Sequence, residues 1–299
     1  MMADYPIYTY KEMLDDHFPF KIEVRTSTNM NQVSHAHEHL QLCYMMSGSC
    51  IHWTAGQQYI LTKGDLFSIP PFQEHRLSTR EAIDFIMVQV DFMPHAINES
   101  FRDLAQMQTF VDFAYIRPLI SESDLMPKLA FPPHLQSVIE SLLNVILTEW
   151  KEQEEGYRLA IKAELLKLLV MIGRQYKHYS QLHSPHETQR LAFYREAFYT
   201  TITYMETHYD EELHLEDVAA KALMAPSYFS NMLKLVKGKS YIELLSTIRI
   251  QAAMELLGST DLNVTQIAAR VGYNHISHFN RTFKKQTGVT PGDFRKHHF

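Results

Sequence analysis

The stretch Ile267-Ala268-Ala269-Arg270-Val271-Gly272-Tyr273 decides how the C-terminal third of this chain folds. It predicts a short helix that carries two small alanines and ends at a glycine. The residues that follow place Phe279 and Phe283 four positions apart, on one face of a second helix. The alanines let the second helix cross the first closely, and the phenylalanines anchor it in a core. The pattern therefore predicts a helix-turn-helix, with the opposite face of the second helix left exposed.

The same plan occurs once earlier in the chain. Val218-Ala219-Ala220 precedes a turn, and a second helix then presents Phe229 and Leu233 four residues apart. Asn263 and Gln266 form a capping-box pattern before the later unit. Spacing and breaker residues predict the helices Leu215–Leu223, Pro226–Lys237, Ser240–Leu257, Asn263–Gly272 and His275–Gln286. Two repeated units are therefore expected, with one long helix between them.

These residues resemble the AraC/XylS family of bacterial transcription regulators over the C-terminal third. Further matching stretches are Arg281-Thr282-Phe283-Lys284-Lys285, Gly288-Val289-Thr290-Pro291, Phe294-Arg295, Pro226-Ser227-Tyr228-Phe229-Ser230 and Ile248-Arg249-Ile250. The resemblance implies seven helices with two helix-turn-helix units, whose recognition helices lie one DNA turn (~34 Å) apart. Leu233, Ala225 and His214 depart from the family pattern, in which an aromatic residue, a serine cap and a serine or threonine are usual.

Position within the family motif implies which side chains meet DNA. The expected base-edge readers are Ser227, Ser230, Asn231, Ser277, Asn280 and Arg281. Asparagine can pair with adenine and arginine with guanine, so Asn231 and Arg281 are the best candidates. The expected phosphate contacts are Lys234, Lys284 and Lys285. The alternatives are that Arg281 caps a helix or pairs with an acid, and that Asn231 is exposed without a role in DNA binding.

The charge distribution is compatible with a nucleic-acid partner although the net charge is −6. Residues 200–299 hold 11 Lys and Arg against 10 Asp and Glu, so residues 1–199 carry a balance of −7. Within residues 270–299, six lysines and arginines face Asp293 alone. Binding depends on the local field, so a basic cluster can neutralise phosphates even on an acidic chain.

Residues 20–92 are predicted to form short strands. The predicted strands are Lys21–Thr26, Leu40–Met46, Cys50–Trp53, Gln58–Leu61, Leu66–Ile69 and Ile83–Phe92. A turn is predicted at Ser47-Gly48-Ser49. Turn signals about every eight to twelve residues indicate a sandwich or small barrel. After Pro132-Pro133 the apolar spacing becomes helical. Two long amphipathic helices, broken near Glu155-Gly156, are expected to form a hairpin.

The predicted fold class is multi-domain α+β. By the same resemblance, residues 1–130 form a cupin-like β-barrel that senses an effector. Residues 131–178 form the helical hairpin, which either mediates dimerisation or packs on the barrel. The polar segment 179–190, which contains Pro185, is the expected linker. Residues 191–299 form an all-α DNA-binding domain with two helix-turn-helix units.

Three imidazoles stand at alternate positions in His35-Ala36-His37-Glu38-His39-Leu40-Gln41. Regulators of the resembled family commonly bind a small effector inside the cupin-like barrel. In metal-binding cupins two histidines, an acid and a third histidine hold the metal. Here His35, His37 and His75 stand in the imidazole places, and Gln41 replaces the acid. His35, His37, Gln41 and Cys43 share parity on one strand and are expected to face the barrel interior.

Three interpretations of this segment are open: the wall of an effector pocket, a metal site, or structural histidines. A neutral amide is a poor metal ligand, although three histidines and water can hold zinc. Imidazoles and an amide also suit a polar ligand such as a sugar. The expected effector-binding residues are His35, His37, Gln41, Trp53, Tyr59 and His75, with Met87 and Gln89 as further wall candidates. No metal is expected, with His35, His37 and His75 as candidates if one binds. His39 is expected outside the barrel mouth.

Composition indicates a soluble cytoplasmic protein. The 299 residues, 45% of them hydrophobic, are enough for two globular domains. The first residues lack the basic and apolar stretches of a signal peptide. The apolar run Leu165–Ile172 is too short to span a bilayer. Cys43 and Cys50 are too few for the disulfide framework of a secreted scaffold.

The sequence therefore predicts a ligand-responsive transcription regulator, an activator rather than an enzyme, with no cofactor. The expected partners are double-stranded promoter DNA, a small-molecule effector, RNA polymerase and a second copy of the chain, without a membrane. The alternative is a metal-dependent cupin enzyme or metal sensor fused to a DNA-binding tail, which predicts bound metal and a retained carboxylate ligand. A third option is a constitutive regulator whose barrel serves only dimerisation, which predicts DNA binding indifferent to any metabolite.

Overall fold

One long strand organises the N-terminal part of the molecule. The computed structural model describes residues 5–30, 33–54, 56–79, 83–97, 107–120, 128–183 and 185–298. The strands are β1 (Ile7–Tyr8), β2 (Phe20–Thr26), β3 (Ala36–His37), β4 (Leu40–Thr54), β5 (Gln57–Thr62), β6 (Asp65–Ile69), β7 (His75–Thr79), β8 (Phe85–Phe92) and β9 (Lys128–Ala130). The first part of β4 lies in a sheet of order β2-β8-β4-β6-β9. Its second part pairs with both β5 and β7.

The turn predicted at Ser47-Gly48-Ser49 is wrong, because β4 continues through it. Pairing with β8 extends from Leu40 to Gly48, with a register shift between Met45 and Ser47. Gly48 has a left-handed φ of 71°, which serves a strand irregularity as well as a hairpin turn. The irregularity lets β4 pass from one set of partner strands to the other without reversing its direction.

Both parts of β4 contribute to a single apolar cluster. Its buried members are Met30, Cys43, Met45, Cys50, Leu61, Phe67, Ile69, Leu77, Phe85 and Met87. Apart from Met30, they come from β4, β5, β6, β7 and β8, so the strands enclose a common interior. The predicted fold class is confirmed in this respect, with a sheet-rich N-terminal domain followed by a helical C-terminal domain.

Helices cover the outer side of β2. The N-terminal helices are α1 (Tyr10–Met13), α2 (Pro94–Ile97), α3 (Gln108–Val111), α4 (Arg117–Ile120), α5 (Pro133–Glu152) and α6 (Tyr157–His183). A π-helical stretch, Asp112–Ile116, joins α3 to α4. Phe20 of β2 packs on Trp150 of α5 with ring centroids 5.4 Å apart. The two long helices predicted after residue 132 are confirmed, and α5 and α6 contact each other.

The segment 179–190, predicted as a linker, is helical on both sides of residue 184. Helix α6 extends to His183, and α7 runs over Pro185–Thr207. The molecule divides into two compact units, Met1–Phe193 and Tyr194–Phe299, so the boundary lies inside α7. Proline at the first position of a helix costs no helical hydrogen bond, which explains why Pro185 begins a helix here.

The helices of the C-terminal unit begin and end close to their predicted bounds. After α7 they are α8 (Leu215–Lys221), α9 (Pro226–Lys237), α10 (Tyr241–Ser259), α11 (Val264–Arg270), α12 (Ile276–Thr287) and α13 (Pro291–His298). Gly238 and Gly288 end α9 and α12 in the left-handed conformation. The predicted capping box is confirmed, because Asn263 and Gln266 exchange two hydrogen bonds of 2.9 Å. Within the described ranges, every helix is too short or too polar to span a bilayer.

The second helix of each repeated unit is anchored as predicted. Phe229, Leu233, Phe279 and Phe283 are completely buried. The core of the later unit also contains Ile250, Ala253 and Leu257 from the C-terminal half of α10. Since α10 contacts α9 as well, this one helix packs against both helix-turn-helix units.

Replacing Gly48 by alanine should destabilise the N-terminal unit far more than the same change at Gly56. Both glycines have left-handed φ values, 71° and 74°, so alanine costs about 1–2 kcal/mol of backbone strain at either position. At Gly48 the added Cβ would lie 1.8 Å from the carbonyl oxygen of Asp84, whereas nothing lies within 4 Å at Gly56. Urea denaturation followed by tryptophan fluorescence reports on this unit, because Trp53 and Trp150 both lie in it. Equal losses of unfolding free energy in the two variants would contradict the packing described at Gly48.

Candidate functional site

The interior of the β structure is lined by polar side chains along one row of strand positions. Gln41 and Cys43 on β4 stand opposite Asp91 and Gln89 on β8. Gln89 in turn stands opposite Glu23 on β2. Opposed residues of antiparallel strands project to the same side of the sheet. Because Cys43 belongs to the enclosed apolar cluster, these polar side chains face the same interior.

A chain of polar contacts runs from the partly exposed edge of this row to its buried end. Arg25 pairs with Glu23 and donates from Nε to Oε1 of Gln89 at 3.3 Å. Gln89 donates from Nε2 to Oδ2 of Asp91 at 2.7 Å. The other carboxylate oxygen of Asp91 lies 3.8 Å from Nε2 of His39. The side chain of Arg25 is 21% exposed and those of Asp91 and His39 are 1% exposed, so the row leads inward from solvent.

Five histidine rings gather at the buried end of this row. His37 stacks on His39 with ring centroids 4.0 Å apart. His75 lies 4.3 Å from His35, 4.9 Å from His37 and 6.2 Å from His52. The structure thus brings together the three histidines selected from the sequence and adds two more.

The backbone fixes the protonated nitrogen in three of these rings. Nδ1 of His35, His37 and His75 lies 2.9, 2.8 and 3.0 Å from a carbonyl oxygen two residues away along the chain. A carbonyl oxygen only accepts hydrogen bonds, so each Nδ1 carries a proton. In the neutral rings of His37 and His75, Nε2 is left as an acceptor. Among the described residues, Nε2 of His37 and Nε2 of His75 are buried without a hydrogen-bond partner.

Burial keeps the deeper imidazoles neutral. It lowers the pKa of His37 to about 4 and the pKa of His52 to about 3, and it holds the pKa of His75 well below its usual value. The ring of His52 packs on Phe67 at 4.9 Å. Neither of its nitrogens has a hydrogen-bond partner among the described residues. The interior therefore offers the acceptor lone pairs of His37 and His75, and one donor and one acceptor of His52, rather than imidazolium charge.

His39 and Asp91 form a buried pair at the meeting point of the row and the histidines. Burial lowers the pKa of His39 to about 2 and raises the pKa of Asp91 to about 7. Both shifts oppose an ion pair, so a neutral imidazole lies beside a carboxyl group that titrates near neutral pH. The prediction that His39 lies outside the barrel mouth is wrong, because this side chain is 1% exposed and turns inward with Gln41.

The remaining predicted effector residues divide between the two faces of the sheet. Tyr59 stands opposite His52 and packs on the interior cluster. Trp53 follows His52 on the same strand and therefore projects to the other face. There its Nε1 donates to Oγ of Ser78 at 3.3 Å, and the guanidinium of Arg76 lies 4.8 Å from its ring. The structure brings one group into the interior: His35, His37, Gln41, Tyr59 and His75. It does not bring Trp53 to them.

Some interior residues were missed from the sequence although a signal for them existed. Asp91 shares strand parity with Gln89, which was selected as a wall candidate. His52 does not share the parity of Gln41, because the register shift between Met45 and Ser47 exchanges the inward positions along β4. The predicted strand Lys21–Thr26 left open which of its sides faces the interior. Helix α5 covers the apolar side, so Glu23 and Arg25 lie on the interior side. The available clue was a polar residue at a strand position that faces the interior.

The arrangement around Gln41 bears on metal binding. Its amide nitrogen donates to Sγ of Cys43 at 3.3 Å. Within the parts of the chain that the structure describes, no three His, Cys, Asp or Glu side chains are arranged to hold a metal ion.

The two helix-turn-helix units have the same turn. In each unit the two residues at the turn donate backbone hydrogen bonds to the preceding alanine pair. These residues are Leu223 and Met224 in the first unit and Gly272 and Tyr273 in the second. Leu223 and Gly272 are both left-handed, with φ values of 59° and 83°. The equivalent bonding confirms that the sequence repeat is a structural repeat.

Helix α12 presents a cationic and polar face on the side away from its buried phenylalanines. The residues predicted to contact DNA on this helix are all exposed: Ser277, Asn280, Arg281, Lys284 and Lys285. Such a face offers hydrogen-bond donors and positive charge to a polyanionic groove.

Helix α9 presents a less charged face. Ser227 and Lys234 are exposed, whereas Ser230 and Asn231 are half-buried. The amide nitrogen of Asn231 donates to the carbonyl oxygen of Ser227 at 3.2 Å. Lys237 at the end of the helix pairs with Glu206 at 3.5 Å. The first unit therefore offers mainly neutral hydrogen-bonding groups, and the second unit offers most of the positive charge.

The fold and these two sites together define a DNA-binding transcription regulator with an N-terminal ligand-binding domain. Residues 20–169 match the AraC-like ligand binding domain, and residues 218–297 match the helix-turn-helix domain of the same regulators. The chain belongs to the AraC/XylS family of transcription regulators.

Known proteins of this kind are similar over different lengths. The regulatory protein PocR of Salmonella typhimurium is 32% identical over 95 residues, which are 32% of this chain and 31% of PocR. The chain thus spans less than a third of that relative. The HTH-type transcriptional regulator YobQ of Bacillus subtilis is 24% identical over 91% of this chain and 92% of its own length. The arabinose operon regulatory protein of Escherichia coli is 25% identical over 80% of this chain and 74% of its own length.

Acid should destabilise the N-terminal unit, and His52→Leu should weaken that dependence. The pKa of His52 is lowered to about 3, so its contribution to stability is complete above the unfolded pKa of about 6.5 and is lost as the pH falls toward 3. Each such histidine lowers the free energy of unfolding by about 1.4 kcal/mol per pH unit in this window. Urea denaturation at several pH values, followed by tryptophan fluorescence, measures the slope.

A matched control separates this effect from the general effect of acid. His178→Leu changes an exposed position on α6 and should keep the wild-type slope of unfolding free energy against pH. The raised pKa of Asp91 acts in the opposite direction, lowering stability as the pH rises toward 7, but one carboxyl group opposes several imidazoles. If His52→Leu kept the wild-type slope, His52 would have to be solvated in the folded protein.

Proposed function

We propose that this regulator activates bacterial promoters in response to a small polar effector, and that it works as a homodimer in the cytoplasm. Residues 1–130 sense the effector, 131–178 form the helical hairpin, 179–190 connect the halves, and 191–299 bind double-stranded promoter DNA. The observation that carries the proposal is the exposed cationic face of α12, opposite two completely buried phenylalanines. The second helix of a helix-turn-helix enters the major groove with such a face. The family resemblance supports activation through RNA polymerase.

Side-chain chemistry supports two classes of DNA contact. Arg281 has paired N–H donors that suit O6 and N7 of guanine, and Asn231 or Asn280 can pair with adenine. The short serines complete the set of base-edge readers: Ser227, Ser230 and Ser277. The ammonium groups of three lysines act as point charges for phosphates: Lys234, Lys284 and Lys285. Base readers determine sequence preference, and phosphate contacts fix the position of the domain.

The tautomers of the buried histidines support an effector that donates hydrogen bonds. Nε2 of His37 and Nε2 of His75 are acceptors in rings 4.9 Å apart, a spacing that suits neighbouring hydroxyl groups of one molecule. Oδ1 of Asp91 accepts no hydrogen bond from the part of the chain that the structure describes, so it is a further acceptor at the same end. A sugar or sugar alcohol offers several hydroxyl donors, whereas a carboxylate without hydroxyls offers none. The relative named for the arabinose operon is in line with this choice.

The effector pocket proposed on these grounds omits one of the residues predicted from the sequence and adds two others. Its residues are His35, His37, Gln41, Tyr59 and His75, joined by His52 and Asp91. Trp53 is left out because it projects from the other face of β4. A polar ligand that satisfies the buried acceptors would relieve an unfavourable feature of the free protein, since buried polar groups without partners are costly.

An uncharged stripe on α5 supports the homodimer. Val138 and Val145 are 40% and 41% exposed, and Ser141 and Thr148 are exposed between and after them. Their spacing of three and four residues matches the a and d positions of a packed helix pair. A second copy of the same helix would cover this stripe.

A metal sensor or metal-dependent cupin enzyme with a DNA-binding tail is the second candidate, and one observation favours it. Histidines that bind metals usually donate their other ring nitrogen to a carbonyl or carboxylate, as His35, His37 and His75 do here. Gln41 supplies no carboxylate to offset the charge of a cation. Bound metal distinguishes the two candidates.

Sugars or sugar alcohols should raise the melting temperature of the wild-type chain, and His37→Phe should abolish the rise. A ligand at 100 times its Kd stabilises the folded state by about 2.7 kcal/mol. The phenylalanine keeps the buried ring but removes the Nε2 acceptor. The measurement is thermal unfolding with a panel of monosaccharides and sugar alcohols, with succinate as a compound that lacks hydroxyl donors.

Trp53→Phe is the matched aromatic control, and it should retain the rise because Trp53 lies on the other face. A rise of equal size in His37→Phe would place the ligand elsewhere. No rise with any compound of the panel would favour the constitutive regulator.

Arg281→Ala should lower the affinity of the chain for a site selected from random duplex DNA and should relax its preference at one base pair. Loss of a bidentate guanine contact costs about 1–3 kcal/mol against the preferred base. Electrophoretic mobility shifts with the selected site and its single-base variants measure both effects.

Lys284→Ala, one helical turn away, is the contrasting variant. It should weaken binding to all sequences alike and reduce the slope of log affinity against log salt by about one unit. Unchanged preference in Arg281→Ala, or altered preference in Lys284→Ala, would overturn the assignment of readers and phosphate contacts.

A further inference from the structure

Arg249 holds the segment that leads into the first helix-turn-helix unit. It lies near the middle of α10, and its Nε donates to the carbonyl oxygen of Tyr209 at 2.7 Å. Its Nη2 donates to the carbonyl oxygen of Glu211 at 2.8 Å. Both carbonyls belong to the connection between α7 and α8. The planar guanidinium therefore fixes two points of the chain just before the first unit begins.

The same guanidinium lies against the turn of the second unit. A Cβ added at Gly272 would lie 2.9 Å from Nη2 of Arg249 and 2.9 Å from the carbonyl oxygen of Tyr209. The guanidinium carbon also lies 5.7 Å from the ring centre of Tyr273. Only a residue without a side chain lets the turn approach so closely. Three segments thus meet at one side chain: the connection before α8, the middle of α10, and the turn between α11 and α12.

Helix α10 belongs to both units, so its middle is the place where their relative orientation is decided. Its C-terminal half supplies Ile250, Ala253 and Leu257 to the core of the second unit. At its N-terminal end, the hydroxyl of Tyr241 donates to the carbonyl oxygen of Leu213, just before α8. Rotation of one unit about α10 would separate the guanidinium of Arg249 from the carbonyls or from the turn.

We propose that Arg249 is a positioning residue that sets the distance and angle between the recognition helices α9 and α12, and so determines the half-site spacing that the chain accepts. This inference rests on the proposed DNA-binding function. Both helices must meet their grooves at once for the second half-site to add affinity, so its contribution depends on fixed geometry. Arg249 contacts no base in this scheme; it acts through the placement of α9 and α12.

The test uses the full-length chain and duplexes built from the selected site. One duplex carries the intact site, a second has the α12 half-site scrambled, and others have one or two base pairs inserted between the half-sites. Arg249→Met keeps a long side chain and removes every donor. Its affinity for the intact site should fall about tenfold, while affinity for the single half-site changes less than about twofold. The loss of affinity caused by an inserted base pair should shrink toward zero.

Arg295→Met is the matched control. Arg295 donates from Nε and Nη2 to the carbonyl oxygens of Leu257 and Leu262, at 3.4 and 2.6 Å, so it loses the same two kinds of hydrogen bond. The hydrogen-bond partners of Arg295 all lie in the second helix-turn-helix unit. Arg295→Met should therefore keep the wild-type sensitivity to inserted base pairs. Arg249→Lys, which retains one cation but not the planar pair of donors, serves if the methionine variant is unfolded by circular dichroism. Arg249→Lys should also lose more affinity for the intact site than for the single half-site, but by a smaller factor than Arg249→Met.

Two results would overturn the inference. One is an equal loss of affinity of Arg249→Met, or of the folded Arg249→Lys, for the intact site and the single half-site. The other is a wild-type sensitivity to inserted base pairs in that variant. Failure of the wild-type chain to select any sequence would instead remove the proposed DNA-binding function, and this inference with it, so the two failures are distinguishable.

Discussion

The alternation of side chains along β4 is the constraint on which the N-terminal half depends. This strand pairs with β5, β6, β7 and β8, so its inward positions all project into one interior. Gln41 and Cys43 occupy such positions opposite Asp91 and Gln89 on β8. His52 does so as well, because the register shift between Met45 and Ser47 moves the inward positions by one residue. A one-residue slip would exchange the inner and outer residues of the whole strand. The polar interior is therefore built into the register that forms the sheet.

Burying so many polar groups costs free energy of folding unless they find hydrogen-bond partners. Imidazoles are held neutral by burial, and several of their nitrogens lack partners among the described residues. Buried polar groups in folded proteins are usually satisfied, so these acceptors support the proposed binding site. The proposed ligand, which donates hydrogen bonds, would satisfy these acceptors and stabilise the folded state.

The C-terminal half relies on a different principle, the repetition of one local motif around a shared helix. Both helix-turn-helix units share the same few features, namely an alanine pair, a left-handed turn residue and two buried apolar side chains. Neither unit by itself determines where the other lies. The shared helix α10 and the guanidinium of Arg249 supply that relationship, so orientation is encoded outside both recognition helices.

Much of the C-terminal half could be predicted because its signals are local. Pro226, Asn263, Gly238 and Gly288 mark helix ends through caps that involve only a few neighbouring residues. The prediction of a turn at Gly48 was wrong because a left-handed glycine suits either a hairpin or a strand irregularity. Only the pairing of β4 with the distant strand β8 distinguishes the two. Local signals determine where elements begin and end, whereas long-range pairing determines their partners.

The same limit explains the errors in the effector site. Alternation in β2 gives two faces but does not say which one α5 covers, so the inward positions of Glu23 and Arg25 were not predicted. Trp53 was selected for its chemistry although its neighbour His52 occupies the inward position. The histidines themselves were found because their spacing within a short segment repeats the strand period. Residue type indicated the kind of site, and only the fold indicated its members.

Native mass spectrometry of the chain, purified gently and without chelator, tests most directly whether the histidine-rich interior is an effector pocket. One spectrum reports the number of subunits, bound metal and any co-purified compound. The effector-pocket proposal predicts a dimer that carries an organic compound, one copy per subunit, and no stoichiometric metal. A stoichiometric metal that is lost on replacing His37 by alanine would contradict it and would make the histidine cluster a metal site.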